Sequence, residues 1–311
     1  MASINDVSRL AQVSKATVSR VLSGSRGVKE ESREAVLRAV EILNYKPNAI
    51  AQSLSSQTTH CIGVICATEH IQQATGYLQA LEKQLSLHQK HLLLRFANSR
   101  EAVAQACAEL STGLCDALIV VGARFPLPPE AQQALLIDCI DARGEQQLGV
   151  DYEYASQIAS HYLLSRQRRK IALLNFSASE AAEQVLQGYR RALEDASMPF
   201  NRQLIAQERP SVSEALNTLL SQHISFDALL VTDYCKGLEA AQYLQRCQRA
   251  VPQQVMVFSL DGSAAHAGAP PLPAINYPLE TLAQQAIKVI TGGASGFPPL
   301  RGQLFTPCQE G

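Results

Sequence analysis

Between Ser14 and Arg20 the chain sets short hydroxyls and cations side by side, Ser14-Lys15-Ala16-Thr17-Val18-Ser19-Arg20, with no carboxylate among them. Hydroxyls and protonated side chains donate to phosphate oxygens, and Lys or Arg can also donate to the O6 and N7 acceptors of guanine. The chemistry available to this run is nucleic-acid recognition. A second set of groups is acidic and dispersed. Asp138, Asp151, Asp233 and Asp261 each follow a short apolar run, namely Leu135-Leu136-Ile137, Leu148-Gly149-Val150, Leu230-Val231-Thr232 and Phe258-Ser259-Leu260. A carboxylate at the end of a strand accepts hydrogen bonds from a hydroxyl-rich ligand, or else caps the helix that follows. Ligand contact is expected of Asp138 and Asp261, and capping of Asp151 and Asp233. Catalytic and metal-binding sets are not expected: the 7 His are scattered, and the 8 Cys show no paired CxxC spacing. Thr291-Gly292-Gly293-Ala294-Ser295-Gly296 looks like a phosphate-cradling loop, but it follows a helical pattern instead of opening one after a strand, so it reads as a connector.

The run at 14–20 needs a rigid support, and the flanking residues supply one. Ile4, Val7, Leu10 and Ala11 recur at helical spacing, as do Val18, Val21 and Leu22, with a tight Gln12-Val13 break between them. Val36, Leu37, Val40 and Leu43 mark a third helix between Lys29 and Asn44. Three such helices close one small core. Ser14 stands at the N-cap position of the second helix, its hydroxyl able to accept from the amide of Thr17 or its neighbour. The partly positive helix start is then turned toward a polyanion. Charge agrees: residues 1–56 carry eight Lys/Arg against five acids, a net +3 in a chain whose formal charge is −1. A helical cap with a solvated basic face is the alternative.

These residues match a known pattern. Asp6-Val7, Val13-Ser14, Thr17-Val18-Ser19-Arg20-Val21 and Asn44-Tyr45-Lys46-Pro47-Asn48, with Ala51 and Leu54, resemble without a gap the head of the LacI/GalR group of bacterial transcriptional regulators. The resemblance implies that Lys15 and Ala16 read bases, that Arg20 reaches the major groove one turn later, and that Ser14, Thr17 and Ser19 contact phosphates. It also implies a hinge helix over residues 47–54, carrying Asn48, Ala51 and Leu54, with Leu54 wedged between base pairs in the minor groove. Inserting a leucine costs roughly a few kcal/mol of unstacking. The other reading of this segment is an interdomain linker whose Leu54 packs on the body of the protein. Two departures stand out. Gln12 replaces the Gly most members have in the turn, and Lys29 replaces a common Ser cap.

After the polar junction Ser55-Ser56-Gln57-Thr58-Thr59, apolar runs alternate with amphipathic ones. The first set reads 60–66, 77–87, 91–96, 101–110, 116–121 and 134–140. The second reads 170–176, 183–196, 213–220, 227–232, 237–247 and 254–260. Buried strands trading places with helices predict parallel sheets covered on both faces. The fold expected is an all-α helix-turn-helix head over 1–58 and an α/β core over 59–311, made of two doubly wound lobes facing a cleft. Ligands of such sheets sit at the carboxyl ends of the strands. The resemblance continues more weakly here, as a periplasmic-binding-protein-like core, at Leu186-Gln187-Gly188-Tyr189, Val251-Pro252 and Pro271-Leu272-Pro273.

The core also departs from the group. Val185 stands where a ligand-holding Arg is common, Ile71-Gln72-Gln73-Ala74 replaces an aromatic patch, and Thr232 replaces the Asn before Asp233. The expected ligand-facing residues are therefore Asp138, Asp261, Thr232, Asp233 and Val185. The resemblance implies a homodimeric regulator, with repression the expected direction, that binds a palindromic duplex operator and answers to a sugar or sugar phosphate. A different metabolite, a protein partner or no effector remain open, as does a ligand-binding module or α/β enzyme whose helical head docks a protein. No cofactor and no membrane partner are expected, and the cytoplasm is the expected compartment. Gln309-Glu310-Gly311 closes the chain without an apolar heptad extension, which favours a dimer over a coiled-coil tetramer.

Overall fold

The computed structural model describes residues 2–22, 27–45, 58–68, 71–140, 146–175, 179–207, 211–262 and 271–307. The chain divides into two compact units, Met1–His60 and Cys61–Gly311.

In the first unit α1 (Ile4–Leu10), α2 (Lys15–Leu22) and α3 (Glu30–Ile42) surround a core of Val7, Ala11, Val18, Val21, Val36 and Ala39. The stripe is narrower than the spacing predicts. Leu10 is 48% exposed and Leu37 51% exposed, because small Ala11 and Ala39 take the inward positions where the helices approach. The start of α1 is held by Asp6, which accepts from the Ser3 amide at 2.9 Å and the Ser3 hydroxyl at 2.7 Å. Those bonds keep its carboxyl below the ordinary range. Gln12 sits at φ 51°, the left-handed conformation that its replacement of Gly requires. Lys29 precedes α3 without a side-chain cap.

The second unit contains two sheets. The first has the order β2-β1-β3-β4-β5, all parallel, from β1 (Cys61–Cys66), β2 (His91–Phe96), β3 (Ala117–Val121), β4 (Leu135–Ile137) and β5 (Gln147–Leu148). Helix α4 (Ile71–Leu87) covers one face and α5 (Arg100–Leu110) the other. The second sheet has the order β11-β10-β9-β8-β6-β7. It comprises β6 (Ile171–Asn175), β7 (Ile205–Gln207), β8 (Ala228–Val231), β9 (Met256–Ser259), β10 (Ala274–Asn276) and an antiparallel β11 (Gln303–Phe305). Its covering helices are α6 (Tyr152–Ser165) and α7 (Glu180–Asp195) on one face, with α8 (Val212–Ser221) and α9 (Tyr234–Arg246) on the other. The lobes are interwoven. After β10 the chain returns to the first lobe, where α10 (Leu279–Ile290) buries Leu282, Ala283, Ala286 and Ile287 beside Ile62 and Val64, before β11 rejoins the second sheet.

Helix α6 is absent from the sequence expectation. Its inward face ends in Leu163 and Leu164 but begins with Ala155, Ser156, Ala159 and Ser160, side chains that interrupt the apolar stripe with buried hydroxyls. They are small because α7 lies very close: Ser156 donates to the Val185 carbonyl at 2.7 Å, and a Cβ at Gly188 would overlap the Glu153 carbonyl oxygen. The Leu-Gln-Gly-Tyr run thus has a packing reason. The Thr291–Gly296 segment follows α10 as a connector, with Gly292 at φ 74° and Gly296 at φ 73°.

Candidate nucleic-acid interface and ligand cleft

In the helical unit, the inward residues Val18 and Val21 fix which way α2 faces. Ser14, Lys15, Ala16, Ser19 and Arg20 are consequently exposed together, with Thr17 half-buried beside them. The Ser14 hydroxyl accepts from the Thr17 amide at 3.1 Å and bonds the Thr17 hydroxyl at 2.9 Å, so the expected cap is present. Ser8 donates to the Val13 carbonyl at 2.6 Å, which fastens the turn into α2 from behind. The exposed edge of α2 therefore combines a capped, positively polarised helix start with Lys15 and Arg20. Asn48, Ala51 and Leu54 of the expected hinge helix lie outside the described residues.

In the two-lobed unit, a cleft of about 340 Å³ opens where both sheets end. That volume lies at the lower end of the range for small-molecule sites, about 300–1,000 Å³. Its walls are residues just past the strands: Thr68 after β1, Asn98 after β2, Arg124 after β3, Asp138 after β4, Thr232 and Asp233 after β8, and Asp261 after β9. All five residues expected to face a ligand, Asp138, Asp261, Thr232, Asp233 and Val185, line it. Parallel strands aim their carboxyl ends one way, which gathers residues more than a hundred positions apart.

The expected division of roles among the acids is more mixed in the structure. Asp151 and Asp233 do cap, accepting from Tyr154 N and Lys236 N at 2.9 Å each, but Asp233 also faces the cleft, 3.6 Å from the Lys236 ammonium. Asp138 is 5% exposed and spends its oxygens on protein donors. Oδ1 accepts from the Tyr152 hydroxyl at 2.5 Å, while Oδ2 accepts from Arg124 at 2.7 Å and from Tyr77 at 3.3 Å. Arg124 also donates to the Asp138 backbone carbonyl at 2.7 Å. Burial alone would disfavour the Arg124 charge, but the adjacent Asp138 carboxylate outweighs it and the guanidinium stays protonated. Burial, reinforced by Asp138, pushes the Tyr77 hydroxyl well above its ordinary range, and burial pushes Tyr152 the same way, so both remain donors. A turn in which Asp261 N donates to the Ser259 hydroxyl at 3.3 Å, with that hydroxyl donating to Asp261 O at 2.8 Å, presents Asp261.

Sequence reasoning missed Arg124, Tyr152, Tyr77 and Lys236. Two of them carry a readable signal: Arg124 stands two residues after Gly122, which ends an apolar run, and Lys236 falls in the first turn after a capping Asp. Burial pushes the Cys66 thiol up to about 11 and that of Cys139 up to about 12. Both stay protonated at neutral pH and pack as small apolar groups. Among the described residues no cluster of three or more His, Cys, Asp or Glu could hold a metal.

Residues 3–48 match the family of bacterial regulatory proteins named lacI, and residues 160–299 match the periplasmic binding protein-like domain. Over 323 residues the chain is 30% identical to the HTH-type transcriptional regulator GalR of Escherichia coli strain K12, an alignment covering 99% of this chain and 94% of that protein. The chain belongs to the LacI family. This LacI-family protein is also 26% identical over 302 residues to the ribose operon repressor of Haemophilus influenzae, covering 93% of this chain and 91% of that one. Among solved structures, the lac repressor dimer bound to operator and the anti-inducer ONPF superposes with a TM-score of 0.78 at 22% identity, over 98% of each chain. The CelR–cellobiose complex does so with a TM-score of 0.67 at 23% identity, over 98% of this chain and 99% of that one. At those identities the likeness is one of fold. The resemblance seen in the head thus extends through the core, and the LacI-family chain is a DNA-binding transcriptional regulator. No described helix is long and apolar enough to cross a membrane.

Proposed function

We propose that this LacI-family regulator is a cytoplasmic homodimeric repressor of carbohydrate-metabolism genes, without catalytic activity, whose effector is an uncharged sugar bound in the cleft between the lobes. Two copies of α2 enter successive major grooves of a palindromic operator. Ser14, Thr17 and Ser19 hold phosphates while Lys15, Ala16 and Arg20 meet base edges, and Asn48, Ala51 and Leu54 contact the minor groove. Effector binding alters the angle between the lobes and so the spacing of the two reading heads, which must match half-sites about 34–36 Å apart.

The observation that carries the effector class is the charge arrangement of the cleft. Val185, 1% exposed, brings a methyl-lined wall where a cation would hold a charged ligand, and the two cations lining the cleft are each beside a carboxylate, Arg124 with Asp138 and Lys236 with Asp233. Asp261 adds a further carboxylate. A phosphate ester entering here meets like charge and no uncommitted cation among the described lining residues. A neutral polyol finds acceptors in Asp261 and Asp233 and a hydroxyl in Thr232. The ribose operon repressor and the cellobiose complex among the similar proteins support the sugar class.

Thermal unfolding of the full chain against hexoses, disaccharides and their phosphate esters tests this reading. A neutral sugar is expected to raise Tm, since ligand at a hundred times its Kd stabilises by about 2.7 kcal/mol. Stabilisation by phosphate esters alone would overturn the neutral-sugar reading. Stabilisation by none of them would favour a protein partner or another metabolite.

A further inference from the structure

We propose that Tyr152, Asp138 and Arg124 form a latch across the cleft, and that Asp138 acts as a positioning residue coupling the two lobes instead of as a direct ligand of the effector. The inference rests on the cleft being the effector site. Its parts come from opposite walls. Arg124 and Asp138 follow β3 and β4 of the first sheet, and Tyr77 rises from α4 on the same lobe. Tyr152 opens α6, whose apolar face is buried against β6, β8 and β9 of the second sheet. The 2.5 Å bond from Tyr152 to Asp138 Oδ1 and the 3.1 Å bond from Arg124 to the Tyr152 hydroxyl therefore tie one lobe to the other.

The first-lobe side of this contact is held rigidly. Asp138 stands at φ 50°, a left-handed conformation that Asp adopts more readily than most residues. Arg124 braces it by donating to both the backbone carbonyl and Oδ2 of Asp138. Oδ1 is left aimed at Tyr152. Three protein donors already claim the Asp138 carboxylate and it is 5% exposed, so little of it faces a sugar hydroxyl, whereas a lobe rotation breaks the Tyr152 contact at once. The latch sets the resting lobe separation and so the fraction of chains presenting a ready-made cleft. When that fraction falls, apparent effector affinity falls with it.

The test needs no effector. Nitroxides introduced through non-natural amino acids at Gln105 on α5 and Gln187 on α7, both exposed, report the lobe separation by double electron–electron resonance. The labelled full chain is diluted with unlabelled chain so that each dimer carries one pair. Tyr152→Phe removes the hydroxyl and keeps the ring. It is expected to add a longer-distance component to a narrow wild-type distribution, with unchanged circular dichroism. Asp138→Asn, which tolerates the same backbone conformation, is expected to do likewise, and the double variant no more than either alone. A Tyr152→Phe distribution superimposable on wild type overturns the latch, whether or not sugars bind and whether or not Asp138→Asn folds. A shifted distribution alongside no sugar stabilisation would instead keep the latch and remove the sugar reading.

Discussion

At Arg20 the sequence and the structure say the same thing for the same reason. Val18 and Val21 point inward, so Arg20, between them in the helical period, stands on the exposed side of the helix, the side proposed to meet the duplex. Replacing Arg20 with Ala should weaken binding to the selected operator by about 1–3 kcal/mol and relax preference at one base pair. Selection from a randomised oligonucleotide pool, compared with wild type, checks this, and an unchanged preference profile would refute the base-reading role. Asp138 differs. Its place after an apolar run was legible, but the three donors that claim its oxygens arrive from positions 77, 124 and 152, and no local spacing joins them. Leu10 and Leu37 fit the helical pattern yet end exposed, because small alanines fill the close contacts among three short helices.

Elements were legible wherever the buried side chains were large. The strands Cys61–Cys66 and Ile171–Asn175 fall where the apolar runs put them, since aliphatic side chains buried in a parallel sheet write a continuous signal. Helix α6 was harder to read, because the first turns of its inward face are Ala and Ser that admit α7 and the large side chains Leu163 and Leu164 come only at its end. That closeness yields a prediction. Gly188→Ala would push a methyl into the Glu153 carbonyl, and overpacking of this kind costs about 3 kcal/mol. Urea unfolding followed by circular dichroism should show the midpoint falling without a change in m. A variant as stable as wild type would mean that the two helices separate freely. The Ser14 cap, by contrast, depends on four consecutive residues and was readable in full.

For the whole molecule, charge is partitioned more sharply than its total of −1 suggests, with the excess of cations in residues 1–56. Duplex binding should therefore depend steeply on salt. A plot of log affinity for an inverted-repeat oligonucleotide against log salt is expected to fall with a slope near −0.9 per phosphate neutralised, several in all. A flat plot would exclude phosphate recognition by this head. The same partition explains what could be known early. A helix pair that reads DNA is encoded within about twenty consecutive residues, so its cap, its inward valines and its outward cations were determined by the sequence alone. Strand-end acids were visible as candidates for the same local reason. Only the tertiary structure decided which of them share a cleft, that α10 returns to the first lobe, and that Tyr152 reaches across to Asp138. Those facts depend on how distant segments close on one another, and a chain's local periodicity records what each segment buries, not what it is buried against.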